Sequence, residues 1–189
     1  MRYILIFLIL VISLWEVSCS QENFIINPNR NFTKKEISQL KNILNEFDQI
    51  LMTKYDTESP EKAYLEYSDS AEKQLMRNSS IPYIRNIDSL FIEISKYEVY
   101  DQIWISDTLD NKVYININPN GKYMKFLKKI AQRNDFINRY YRKNKILGDI
   151  SPSMVNNFAS HVRKINLKDN NYRLIFAIHY ITLFVTHGN

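Results

Sequence analysis

The twelve residues from Leu174 to Val185, LIFAIHYITLFV, are apolar on every side of a helical wheel except at His179 and Thr182. A helix with one apolar stripe lies at a surface, whereas one that is apolar all round must itself be surrounded. As a helix these residues would rise about 18 Å, short of the roughly 30 Å hydrocarbon core of a bilayer. The chain must therefore wrap this segment with its own amphipathic helices. Tyr172 to about Thr186 is expected as the central helix of a bundle, centred on Leu174, Ile175, Ile178, Ile181 and Leu183. His179 is expected as a hydrogen-bonded core residue and not as a ligand or base, because buried polar groups must find partners.

The wrapping helices announce themselves. Phe32-Thr33-Lys34-Lys35-Glu36-Ile37 carries a capping box, Thr33 to Glu36, and a hydrophobic staple, Phe32 to Ile37. The helix that follows has Ile37, Leu40, Leu44, Phe47 and Leu51 on one stripe. Ser59-Pro60 and Ser151-Pro152 each place a capping hydroxyl before a residue whose missing N–H is not needed in the first turn. Ile81-Pro82 is expected to start a helix with Ile84, Ile87, Phe91 and Ile94 on its face. Asn120-Gly121 precedes another, and Asp135 opens one that Gly148 should close. Between Tyr100 and Asn118 the rhythm changes: Ile103-Trp104-Ile105 and Val113 to Ile117 are β-branched and aromatic around a polar Asp107 to Asn111. A short hairpin, or else an irregular connection anchored by Trp104, is expected there, and a hairpin would have to pack on the helices. Three glycines and five prolines in 189 residues suit such an architecture. The fold class expected is mainly α: a single-domain bundle of about six to seven helices over residues 32–189, with the hairpin near 100–118.

The amino terminus has the three parts of an export signal. Arg2 supplies charge, Ile4 to Ile12 is an unbroken apolar run, and the small residues Ser18 and Ser20 follow. About a dozen apolar residues make a signal core and not a permanent span. Cys19, the one cysteine, stands directly behind it, and a lone thiol exported to an oxidising compartment has no disulfide partner. Two routes are open: cleavage before a diacylated Cys19, or cleavage before Gln21 with loss of the cysteine. In Ser18-Cys19-Ser20-Gln21-Glu22 the chain resembles bacterial envelope lipoproteins of the flavobacterial type, although Glu16 stands where an apolar residue is usual three before the cysteine. The resemblance implies a signal peptide over 1–18, lipid attached at Cys19, an envelope location and a tether over 19–31. Without lipid the same chain would be periplasmic or secreted.

Catalytic and cofactor constellations are scarce. His161, His179 and His187 lack the i, i+4 spacing of helical zinc pairs, three scattered glycines cannot build a phosphate loop, and Cys19 is either lipidated or removed. No catalytic residue, metal or cofactor is assigned. Asn116-Ile117-Asn118-Pro119-Asn120-Gly121 imitates the start of a calcium loop, but its ligand positions are neutral amides and its twelfth residue is Leu127. A polar turn feeding a helix explains it better. Glu61, Glu66, Asp69 and Glu72 are expected on a solvated helix face.

Charge is the more informative feature. Met1 to Gly121 carries 12 Lys and Arg against 17 Asp and Glu, whereas Lys122 to Asn189 carries 13 against 3. One helical hairpin holds most of the excess. Lys122, Lys125, Lys129, Arg139, Arg142 and Lys143 would contact an anionic partner, such as lipid headgroups, an envelope polymer or an acidic protein. Alternatively the face is merely solvated and offset in space by the acidic helices around Glu58 to Glu72, the more economical reading because halves of a sequence need not be separate surfaces. Nucleic acid is not expected as a partner of an exported chain without a recognised motif. The expectation is thus a membrane-tethered, non-enzymatic binding or structural module, of which an inhibitor or immunity-type protein is a special case. A small envelope hydrolase assembled from distant residues is the alternative, and a secreted factor without lipid the third.

Overall fold

The structure is a computed structural model and describes residues 25–109, 112–147 and 149–187. The signal, Cys19, the link at 110–111 and Gly148 lie outside the described residues. In chain order the α-helices are α1 (Lys34–Lys54), α2 (Pro60–Asn78), α3 (Ile87–Ile94), the single turn α4 (Tyr100–Ile103), α5 (Lys122–Ala131), α6 (Asp135–Leu147), α7 (Pro152–His161) and α8 (Asn170–His187). Strands β1 (Trp104–Leu109) and β2 (Lys112–Ile117) form an antiparallel hairpin between α4 and α5, with Trp104 opposite Ile117 and Leu109 opposite Lys112. The chain is mainly helical with one hairpin, as the hydrophobic periodicity predicts. Among the described residues no helix is long and apolar enough to cross a membrane.

Helix α8 is the axis. Every residue from Arg173 to Phe184 is buried, including all five core positions expected from the sequence. Helices α1 and α3 and strand β2 pack directly on it. Aromatic rings bring the others in: Phe176 sits 4.6 Å from the Tyr64 ring and 6.0 Å from that of Tyr67 on α2, while Phe158 on α7 lies 6.2 Å from Phe176. The hairpin is pinned to the same axis by side chains. Trp104 donates its indole N–H to Thr182 Oγ1 at 2.7 Å, and Thr182 donates to the Ile178 carbonyl one turn earlier. Thr186 Oγ1 donates to the Ile115 carbonyl at 2.8 Å and accepts from the Ile115 N–H. The two polar breaks toward the end of this apolar helix are therefore the hooks that hold the hairpin.

Local signals hold where side chains can satisfy helix ends. Thr33 and Glu36 form the reciprocal capping box, and Ser59 accepts from the Lys62 N–H. Helix α6 is capped by Asn134, whose Oδ1 accepts from the Ile137 N–H, one residue before the Asp135 expected to open it. Ser151 makes no such cap; its hydroxyl pairs with that of Ser153. Helix α3 starts at Ile87 and not at Pro82, after Asn86 in the left-handed region at φ 65°. The carbonyls of Pro82 and Tyr83, which a helix would have used, accept instead from Tyr67 Oη and Lys54 Nζ. Gly121 ends the imitation calcium loop because any side chain there would strike the Gln102 carbonyl, 2.3 Å from an added Cβ. The loop's Asn118 binds the Asp101 carbonyl and the Asn120 N–H, as a turn feeding α5 should.

The segment expected as a tether over 19–31 is docked through its second half. Ile25 is buried, the Ile26 N–H donates to Asn171 Oδ1 at 2.7 Å, and Asn31 donates to the Lys122 carbonyl. From Cys19 to Ile25 the chain reaches about 20 Å at most, half of what an undocked tether would allow.

Candidate functional site

The basic hairpin is built by the amphipathic logic of α5 and α6. Tyr123, Phe126, Leu127 and Ile130 bury one side of α5, so Lys125, Lys128 and Lys129 emerge on the other, and Arg133 is exposed in the turn just past its end. On α6, Phe136, Ile137, Tyr140 and Asn144 face inward, and Arg139, Arg142 and Lys145 are exposed. Spacings of three and four residues gather the cations of each helix into a stripe. Among the described residues none of these seven side chains has a carboxylate within ion-pair distance.

Two members of the expected contact set are engaged. Lys122 bonds both carboxylate oxygens of Glu36 at 2.7 Å, joining α5 to the capping box of α1. Burial raises the Glu36 carboxyl, but the Lys122 ammonium and the Thr33 N–H outweigh it and hold the group below its ordinary value. Lys122 is a structural residue. Lys143 donates to Ser153 Oγ at 2.9 Å and is half-buried. Among the described residues Lys125, Lys129, Arg139 and Arg142 remain without an ion-pair partner. Of the acidic residues expected to offset them, Asp69 pairs with Arg163, and Glu66 with Lys62 of its own helix.

Two buried polar groups need separate accounts. Asp48, on the inward face of α1, accepts from Tyr64 Oη at 2.7 Å and from Arg173 Nε at 3.3 Å. Arg173 spends its other donors on the Leu167 carbonyl and Asn170 Oδ1. Burial raises the Asp48 carboxyl against the pull of Arg173 and Tyr64. The arrangement closes on itself and locks α1, α2 and α8 together; it offers no open face to a substrate. His179 was expected to be hydrogen-bonded, and here the structure corrects the sequence. It is fully buried and stacked on Phe158 at 4.0 Å and 9°, with neither ring nitrogen bonded to a described residue. Burial pushes its pKa down to about 3. It is a neutral aromatic packing element, closed off from solvent.

Among the described residues no group of three His, Cys, Asp or Glu side chains could hold a metal ion. No protein-family model, curated protein or solved structure matches the chain.

Proposed function

We propose that this chain is a non-enzymatic envelope lipoprotein, tethered through Cys19, whose α5–α6 hairpin meets an anionic partner. The observation that carries the reading is the set of seven exposed cations without carboxylate partners among the described residues. A merely solvated surface of mixed sign would pair or intersperse them. Placement adds support: residues 25–31 dock beside the start of α5, and Ile25, where the docked stretch begins, would lie no more than about 20 Å from a bilayer holding Cys19. Surface potential there attracts clustered Lys and Arg and fades over roughly a Debye length, about 8 Å at physiological salt.

Two outcomes are expected. Intact-mass measurement and fatty-acid labelling of the protein from its native envelope should show a chain beginning at an acylated Cys19; a chain beginning unmodified at Gln21 refutes the anchor. In the full chain carrying Cys19→Ser, which silences the anchor, association with isolated envelope should weaken as salt rises. Reversing Lys125, Lys129, Arg139 and Arg142 to Glu should abolish that association with little change in melting, since exposed substitutions shift stability by about 0.5 kcal/mol or less each. Binding unaffected by salt or by the reversal would move the contact to another face.

A further inference from the structure

Where the end of α2, the start of α7 and the end of α8 converge, a groove of about 680 Å³ opens to solvent, the size of a small-molecule site. Leu75, Ile81, Ile150, Val155, Leu183 and Phe184 give it an apolar lining. Among the described residues its wall holds one carboxylate, Asp149, and one imidazole, His187, with neither lysine nor arginine. Lys143 bonds Ser153, and neither of them lines the groove. Asp149 is exposed; its Oδ1 accepts the Ile150 N–H at 2.6 Å, and it makes no ion pair with a described residue, which leaves Oδ2 for a ligand. Helix ends add charge of the same sign. Helices α2 and α8, of 19 and 18 residues, both bring the negative pole of their dipoles here, through Ser79 and His187. The shorter α7 presents its positive end at Pro152, three residues after Asp149. Tyr83 puts its ring in the wall, edge-on to Phe184 at 5.7 Å, with its hydroxyl donated to Asp88 Oδ2 at 2.9 Å. A cation is drawn to the face of such a ring.

An apolar trough whose wall carries a carboxylate, two helix carboxyl ends and an aromatic face is complementary to an apolar body with one positive charge. We propose that the groove binds a small hydrophobic amine, its apolar part along Ile150, Val155, Leu183 and Phe184 and its ammonium on Asp149. The ammonium donates to Oδ2 while Oδ1 keeps its bond to the Ile150 N–H. The chain as a whole has a formal charge of +5, so its overall field draws anions, and a preference for the cation reports the groove and not the rest of the surface. The site does not depend on the hairpin reading, since none of Lys125, Lys129, Arg139 and Arg142 lines the groove.

Titration calorimetry of the purified full chain with decylammonium, below its aggregation concentration, should show saturable binding of one molecule. Decanol, which has the same chain without the charge, should bind about tenfold more weakly, the value of a hydrogen bond to a charged group, and decanoate more weakly still. Octylammonium, two methylenes shorter, should also lose about tenfold, the value of the apolar surface removed. Asp149→Asn keeps an oxygen for the Ile150 N–H and removes the charge; it should bring decylammonium down to the level of decanol and leave decanol unaffected. Asn156→Trp fills the groove from an exposed wall position and should abolish binding while circular dichroism is unchanged; Ser80→Trp does the same from the α2 side if the first variant folds poorly. Decanoate bound as tightly as decylammonium, an equal loss of decylammonium and decanol in Asp149→Asn, or decylammonium binding unaltered in both tryptophan variants would overturn the proposal.

Discussion

Replacing Ile178 by Asp is expected to leave the domain unfolded at room temperature. Ile178 is fully buried at the middle of α8, and its carbonyl accepts from Thr182 in the chain that holds Trp104. A carboxylate there would have neither water nor a cation: the nearest buried guanidinium, that of Arg173, is already committed to Asp48, Leu167 and Asn170. Burying an unpaired charge belongs to the rare class of substitutions costing more than about 4 kcal/mol, a large part of the 5–15 kcal/mol that a domain has in total. Ile178→Val is the control, since loss of one methylene costs about 1 kcal/mol. Truncation before Tyr172 should act like the Asp variant, because it uncovers the inward faces of α1, α3 and β2 together. Circular dichroism melts distinguish the cases. An Asp variant melting cooperatively near the parent would mean that α8 is not the centre of the fold.

That centre was legible because an all-round apolar helix has one solution, whereas the features that were missed depend on what stands opposite. Thr33 and Glu36 are three residues apart, so their reciprocal bonds can be read locally. Asp48 and Arg173 are 125 residues apart. The available signal was weak: Asp48 follows Phe47 on the inward stripe of α1, where a carboxylate needs a buried cation. The start of α3 was misplaced because Tyr67 and Lys54, both distant in sequence, take the carbonyls that Pro82 and Tyr83 would have given to a helix. Such competition leaves no trace in the local pattern.

The basic hairpin divides in the same way. Its stripes follow from helical spacing and were visible in the sequence, but which lysines are free is a tertiary property. Lys122 lies on the same helix as Lys125 and Lys129 and differs only in facing Glu36. Its removal from the contact set narrows the surface to the outward stripes.

His179 gives the second large effect, a loss of stability in acid. In the unfolded chain its imidazole takes up a proton as pH falls through the ordinary value of about 6.5. In the folded chain burial withholds that proton until about 3. Between those limits the unfolded state binds more protons, so stability falls with pH by up to about 1.4 kcal/mol per unit. Stability is complete above about 6.5, and by pH 4.5 roughly 2.5 kcal/mol should be gone. Glu36, held low by Lys122, adds a loss as pH drops below its ordinary value of 4.5, and Asp48, raised by burial, acts in the opposite sense. Both groups remain in His179→Leu, so the difference between parent and variant isolates the imidazole. At neutral pH the Leu variant should match or exceed the parent, because it trades the stack on Phe158 for removal of two buried ring nitrogens without partners among the described residues, each worth about 1–3 kcal/mol. Urea unfolding of both proteins from neutral pH to about 4.5 measures this directly. The two stability curves should diverge steadily as pH falls, the parent losing more. Parallel curves would show that His179 is protonated as easily inside the fold as outside it, and that the stack on Phe158 is open to water.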